Sequence, residues 1–390
     1  MKFNLQETTV QTFGMPKIMV IGLGGGGGNA VDYMVRSQVE GVDFICANTD
    51  AQALNNSLVE NCIQLGSNGL GAGANPEKGM QAAQENIEQV KQAIKGADML
   101  FITAGMGGGT GTGSAPVVAK AAREMGILTV GVVSKPFNFE RRTKVADAGI
   151  EALAAEVDSL ITVPNDKLLK VLGRDFVLAK AFDYANEVLF GAVQGISELV
   201  TRPGLMNVDF EDLRTVMSER GIAMMGVGHA KGEDRAIKAA EKAIANPLLE
   251  DISVAGARGI LVNITSGLDF TIGEFNEVGD VIDSVASPDA KVIIGTSIDE
   301  TMQDEIRVTI VATGLMSSEA VKKPEVVKPN IAAVQAIKQE EMQLEPVKVA
   351  PKVEPEIVRP KMVVNGGVTG SVDGNSNYLD IPAFLRRQAD

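Results

Sequence analysis

The chain has 390 residues, 45% hydrophobic and 22% charged, which allows two folded domains, or two and a tail. Its 50 Asp and Glu outweigh 36 Lys and Arg for a net charge of −14; with no Trp and 3 Tyr this excludes a general nucleic-acid binder, although a small phosphate ligand held by backbone N–H groups stays open. Two cysteines, Cys46 and Cys62, and one histidine, His229, exclude a disulfide framework, a Cys-rich zinc site and a multi-histidine metal centre, and suit a reducing cytosol.

Residues 1–15 read as a flexible N-terminus without the apolar core of a signal peptide. No apolar run approaches the ~20 residues that span a bilayer, so the chain reads as soluble and cytoplasmic. Lys17 to Ile21 reads as a buried strand that runs into the glycine run Gly22 to Gly28 and Asn29; a helix is expected from Ala30 to about Ser37. Val42 to Ala47 is a second strand, and Asn48-Thr49-Asp50 a helix-start signal. A Gly-rich loop, Gly69 to Gly73, ends in Asn75-Pro76, and residues 77–95 read as helical. Met99 to Thr103 is a strand that opens into Gly105 to Gly113, with a helix capped by Ser114 expected next and a strand over Ile127 to Ser134. This alternation predicts an α/β fold with a Rossmann-like domain and a mainly parallel sheet.

Residues 179–201 read as one long helix, with Phe182, Leu189 and Ile196 recurring every seven residues. A second α/β unit follows, with strands over Gly259 to Ile264, Lys291 to Gly295 and Ile306 to Thr313. His229 stands in Gly-Val-Gly-His-Ala-Lys-Gly with no motif around it and reads as a surface or turn residue. Residues 316–375 hold six prolines, no aromatic residue, eight basic and eight acidic residues, which predicts a disordered linker. The apolar cluster Tyr378, Leu379, Ile381, Phe384 and Leu385 then reads as a peptide that folds on a partner. The expected organisation is therefore 16–178, a central helix 179–202, a second domain 203–315, a disordered tail linker 316–376 and a terminal peptide 377–390.

Two Gly runs carry the chemistry. Gly22-x-Gly24-x-x-Gly27 fits a dinucleotide fingerprint, but five consecutive glycines satisfy that pattern easily. Gly107-Gly108-Gly109-Thr110-Gly111-Thr112-Gly113 is more specific, because it adds two hydroxyls to a nest of backbone donors. No Gly-x-x-x-x-Gly-Lys-Ser/Thr occurs, which excludes a P-loop site. Several Gly loops after parallel strands suit one polyphosphate, whereas a nicotinamide-dependent oxidoreductase needs only the first.

Gly107 to Gly113 resembles the signature of the tubulin/FtsZ family, small-Gly-Gly-Thr-Gly-small-Gly. The resemblance extends to Asn48 to Leu54, Gly69 to Pro76, Lys135 to Glu140, Pro164-Asn165-Asp166, Arg202 to Asp209 and the terminal Tyr378 to Arg387. It covers about residues 16–315 and the last 14, on the bacterial FtsZ side of the family and not the tubulin side. It implies a cell-division GTPase that binds GTP or GDP with Mg²⁺ and assembles head to tail with itself. Gly25, Gly26, Gly27, Gly28 and Asn29 would hold phosphates with Gly107, Gly108, Gly109, Thr110, Gly111, Thr112 and Gly113. Gly71, Ala72 and Gly73 would sense the terminal phosphate, and Asn165, Phe182 and Asn186 would bind guanine. Phe182 and Asn186, four residues apart on one helix face, also suit stacking and pairing on their own terms.

Glu140 and a following arginine would contact ribose and phosphate. The family pattern Phe-Glu-Gly-x-x-Arg is broken here, since Glu140 runs straight into Arg141-Arg142-Thr143-Lys144. Counting back from Gly149 makes Arg142 the equivalent and counting forward from Glu140 makes it Lys144; the two-donor grip of a guanidinium favours Arg142. The shortened loop raises the alternative of a scaffold that binds GTP without efficient turnover. Asn207, Asp209 and Asp212 precede a helix, where Asp209 is a natural cap. By resemblance the same residues reach the nucleotide of the next subunit, Asp209 and Asp212 acting on the attacking water with Asn207 assisting. Tyr378, Leu379, Asp380, Ile381, Pro382, Phe384, Leu385, Arg386 and Arg387 would bind division adaptors such as FtsA and ZipA at mid-cell.

Overall fold

Strand β1 (Ile18–Leu23) is buried at every position, as are the central residues of β4 (Met99–Gly105) and β5 (Leu128–Lys135). Such continuous apolar runs belong to a parallel sheet covered on both faces. The period of two sorts them: Val20, Phe101, Val130 and Ile161 join one core, and Ile21, Leu100, Ile102 and Leu160 the other. The computed structural model describes residues 15–315 apart from 173–176, 203, 220, 247 and 250–255. All of these lie in one compact unit. The linker and the terminal peptide, Tyr378 to Arg387, lie outside the described residues, as does nearly all of the N-terminal segment.

Ten strands form one sheet in the order β3-β2-β1-β4-β5-β6-β7-β10-β8-β9. The first half, with β2 (Val42–Asn48), β3 (Asn61–Gln64) and β6 (Ser159–Pro164), is wholly parallel. Helix α1 (Gly24–Arg36) and the long α8 (Leu178–Thr201) cover one face. Helices α3 (Pro76–Glu85), α4 (Ile87–Ala93), α5 (Thr110–Glu124) and α6 (Thr143–Ala154) lie on the other side. Asn86 breaks the single helix expected over 77–95 into α3 and α4. The short helix α2 (Ala51–Asn55) is capped by Asp50, as the start signal required.

The second half holds β7 (Ile222–Lys231), β8 (Gly259–Ser266), β9 (Lys291–Ile298) and β10 (Glu305–Leu315). β10 pairs antiparallel with β7 and β8, and β8 and β9 are parallel across the connecting helix α11 (Ile272–Asp283). β7 was hidden by its glycines. Their purpose is helix approach: a Cβ on Gly226 or Gly228 would stand 2.0 Å from the carbonyl oxygens of Ala243 or Ala239 on α10 (Arg235–Ile244). His229 therefore sits on a strand and not in a turn, but it is a surface residue as expected, exposed beside Glu305 and opposite Arg307. Burial and the Arg307 charge lower its pKa. Cys46 and Cys62 are register partners on β2 and β3 and both are free thiols; burial pushes Cys46 up to about 11.

Candidate functional site

In the parallel half the chain runs outward from β1 through β2 to β3, then returns to the other side of β1 at β4. Such a switch point leaves a crevice at the carboxyl ends of the strands. A cleft of about 340 Å³ lies there, lined by the ends of β1, β4, β5 and β6 and by the first half of α8. It receives two helix N-termini, α1 and α5. Neither has a side-chain cap and neither carries an acidic residue in its first turn. Their free N–H groups and positive dipole ends form an anion site.

The glycine run after β1 is not a loop. It forms the opening turns of α1, which starts at Gly24, six residues before the expected Ala30. Only Gly24 in the run has positive φ, at 70°. The others serve close packing, and a Cβ on Gly27 would stand 2.4 Å from the carbonyl oxygen of Thr103. Gly25, Gly26 and Asn29 line the cleft, while Gly27 and Gly28 are buried beneath it. Likewise Gly108, Gly109, Thr110 and Gly111 line the cleft, and Gly107, Thr112 and Gly113 hold them in place. Thr112 Oγ1 accepts the N–H of Gly107 at 2.9 Å, and Gly113 lets α3 approach α5. Ser114 lies inside α5, which starts at Thr110, so it is no cap; its hydroxyl donates back to the Thr110 carbonyl at 2.7 Å.

Asn165, Phe182 and Asn186 converge at the other end of the cleft. Asn165 is 4% exposed, and its Oδ1 has no hydrogen-bond partner among the described residues. An orphaned buried acceptor of that kind needs a donor from a ligand. Phe182 is 41% exposed, between buried Ala181 and exposed Asp183, so it is not a core residue. Its ring stands edge-on to buried Phe137 at 5.4 Å, and Phe137 stacks on Phe139 at 5.0 Å. The pair fixes a ring face toward the cleft.

The short basic loop keeps its geometry. Glu140 accepts the N–H of Phe137 at 2.9 Å and forms an ion pair with Arg142, and both side chains line the cleft. Lys144 lies in α6, exposed and outside the lining, which favours Arg142 of the two alignments. Arg141 takes φ 55°, the left-handed conformation for which the family pattern places Gly. The loop holding Gly71, Ala72 and Gly73 stays outside the lining but touches it. Gly71 donates to the carbonyl of Thr49 at 3.0 Å, Thr49 Oγ1 bonds Thr110 Oγ1 at 2.6 Å, and Ala72 packs beside Gly109. Sequence reading missed Leu23, Gly105, Met106, Ser134, Pro136 and Ala185, which also line the cleft. Their one signal is position at a strand end or one helical turn from Phe182.

Asn207, Asp209 and Asp212 are not part of this cleft. They follow the far end of α8. Phe182 and Thr201 are separated by about 28 Å along the helix at 1.5 Å per residue. Asp209 caps α9 (Phe210–Met217), its Oδ1 accepting the N–H of Asp212 at 2.7 Å. Asn207 Oδ1 accepts the N–H of Gly204 at 2.9 Å, and Arg202 anchors the helix end to Asp299 at 3.2 Å. The Asp212 carboxylate is exposed and unpaired among the described residues. Nearby, Leu205, Met206, Leu268 and Ile272 are exposed, the last at 83%.

Two family models match. The Tubulin/FtsZ family GTPase domain covers residues 17–173, and the FtsZ family C-terminal domain covers residues 221–316. The chain belongs to the tubulin/FtsZ family. It is 52% identical to the cell division protein FtsZ of Pseudomonas aeruginosa, over 100% of both chains. Against the protein of the same name from Coxiella burnetii it is 52% identical over 99% of each. Among solved structures, the empty FtsZ dimer of M. jannaschii matches with a TM-score of 0.74 and 41% identity, over 78% of this chain and 90% of that one. A GTPγS-bound protofilament of CetZ2 from Haloferax volcanii shares the fold, with a TM-score of 0.66 at 20% identity. Membership sets aside the oxidoreductase reading, since the Gly run after β1 belongs to a GTPase domain of the tubulin type.

Proposed function

We propose that this chain binds GTP in the β1–β4–β5–β6 cleft and hydrolyses it to GDP and phosphate only where a second copy docks head to tail. One observation carries this. The cleft that receives the uncapped helix ends takes in the first half of α8, whereas the acidic loop follows its far end, and Phe182 and Thr201 alone are about 28 Å apart along that helix. No single copy brings Asp209 and Asp212 to its own cleft. A heterologous contact that joins the two ends repeats without closing, which gives a filament.

The free N–H groups of α1 and α5 hold the phosphates, Arg142 and Glu140 the ribose and phosphate edge, and Phe182 stacks on the base. Asn165 accepts from a ring N–H, a preference for guanine over adenine because adenine presents an acceptor at that ring position. Asp212 polarises the attacking water and Asp209, held by its own cap, orients it with Asn207. Mg²⁺ fits this site as a phosphate-bound ion. The lining offers the Thr110 hydroxyl and the Asn29 amide but a single carboxylate, Glu140, which Arg142 already engages. Bound there, it would neutralise charge on the phosphate oxygens. Loss of the terminal phosphate releases the Gly71–Gly73 loop through Thr110 and Thr49, which weakens the contact.

Within this reading the protein acts in the cytoplasm at the division site. Its terminal peptide, Tyr378 to Arg387, engages adaptors such as FtsA and ZipA, so the membrane is reached only indirectly. Among the described residues no helix is long and apolar enough to cross a membrane. Deleting residues 377–390 should leave GTP turnover intact and abolish adaptor binding. The central test is phosphate release from GTP with Mg²⁺ across protein concentrations. A threshold followed by a linear rise supports a shared site. Constant turnover per subunit means each copy carries a complete site and overturns the reading, and GTP bound without turnover at any concentration supports the scaffold alternative.

A further inference from the structure

We propose that Arg141 pairs with Glu211 of the next copy of this chain, which makes the short basic loop a specificity-determining part of the head-to-tail contact. The proposal rests on the shared-site reading above. Arg141 is exposed, and its side chain makes no hydrogen bond or ion pair among the described residues. Only its backbone N–H is used, donated to the carbonyl of Asn138 at 3.1 Å. Its neighbour Arg142 turns into the cleft and pairs with Glu140. The left-handed turn at Arg141, 55° in φ, thus separates two guanidinium groups, one inside the nucleotide cleft and one on its rim. Close by, Lys135 pairs with Asp147, and Asp166 accepts the N–H of Asn138.

The opposite end of the molecule is complementary. The first turn of α9 exposes Asp209, Glu211 and Asp212. Asp209 is occupied by the cap, and Asp212 is needed at the nucleotide. Glu211 lies about 100° round the helix from Asp212, so a copy that presents Asp212 to the phosphates carries Glu211 beside them and free to reach the cleft rim. It is held only by a loose 3.5 Å contact to Arg214 and is 78% exposed. Two copies that each carry −14 repel one another at large, so their register needs a local attraction of opposite sign. A guanidinium meets a carboxylate with two parallel donors, which fixes orientation as well as contact.

The experiment reverses the charges. Arg141→Glu and Glu211→Arg are made singly and together, and sedimentation with GTP gives the threshold concentration for assembly while equilibrium GTP binding is measured on each. Each single variant should raise the threshold about tenfold with GTP affinity unchanged. The double variant should return to within about threefold of the unmodified chain. An equimolar mixture of the two single variants should also assemble, because alternating copies present only opposite charges at every contact. A misfolded variant cannot be rescued in that way. Thresholds that do not move, a double variant as poor as the product of the singles, a mixture that stays dispersed, or GTP affinity lost in Arg141→Glu would each overturn the pairing. Failure of the shared-site reading itself shows separately, as turnover per subunit that is independent of concentration in the unmodified chain.

Discussion

The two ends of α8 solve one physical problem in opposite ways. A helix N-terminus leaves unpaired N–H groups and a positive dipole end. At α9 the chain satisfies them itself, with the Asp209 cap and with Glu211 and Asp212 in the first turn. At α1 and α5 it supplies neither cap nor acid. In the proposed function this difference separates the two roles: the uncapped ends at the cleft receive an anion from outside, and the capped end fixes carboxylates that act on the next copy.

Substitutions at four residues and one titration would break or sharpen that contrast. The largest effect should follow Asp212→Ala, which removes no cap. GTP binding and assembly should persist while turnover falls by about 10²-fold or more, read as phosphate release above the assembly threshold. Unchanged turnover would remove Asp212 from the chemistry. Next, Gly27→Ala at the open end places a Cβ against the rigid Thr103 carbonyl and should destabilise the fold by about 3 kcal/mol in denaturant unfolding. Asn165→Ala deletes the orphaned acceptor and should weaken GTP binding about tenfold while leaving ATP binding unchanged, the loss of one ligand hydrogen bond to a buried group.

Asp209 separates structure from chemistry. Asp209→Asn keeps a cap and should unfold like the parent, whereas Asp209→Ala should lose about 1 kcal/mol; both should lose turnover. The smallest effect concerns the staple at the far end of α8. Burial pushes Asp299 up, but hydrogen bonds from Thr301 and Arg202 outweigh it and leave its pKa below the ordinary carboxylate value. A depressed folded pKa adds stability above that ordinary value, about 4, and the contribution disappears as pH falls through the folded value. Asp299→Asn should therefore flatten the stability curve below about pH 4 by no more than about 1 kcal/mol.

Most of the parallel half was legible because buried strands, helix caps and Gly runs each leave a local mark. Asp50 was read as part of a helix-start signal and Asp209 as a cap, and both accept the expected N–H groups. The misreadings share one cause. Gly22 to Gly28 and the glycines of β7 were weighed as loop formers, yet most of them let a helix approach a strand or another helix. Whether a glycine serves φ or proximity depends on a neighbour distant in sequence. The strand-end residues Ser134 and Pro136 were missed because nothing local distinguishes them from other strand ends.

The sequence by itself determined the fold class and the family, since periodicity, turn chemistry and a specific Gly-Thr motif are local properties. Only the tertiary structure decided which glycines line the cleft and which pack beneath it. It also chose Arg142 over Lys144 for the cleft, kept Arg141 out of the lining, and set Asp209 and Asp212 beyond the far end of α8, outside the cleft. The reason is geometric. A site assembled from the ends of four strands and one long helix is defined by distances across the chain, and those distances follow from packing rather than from any short stretch of residues.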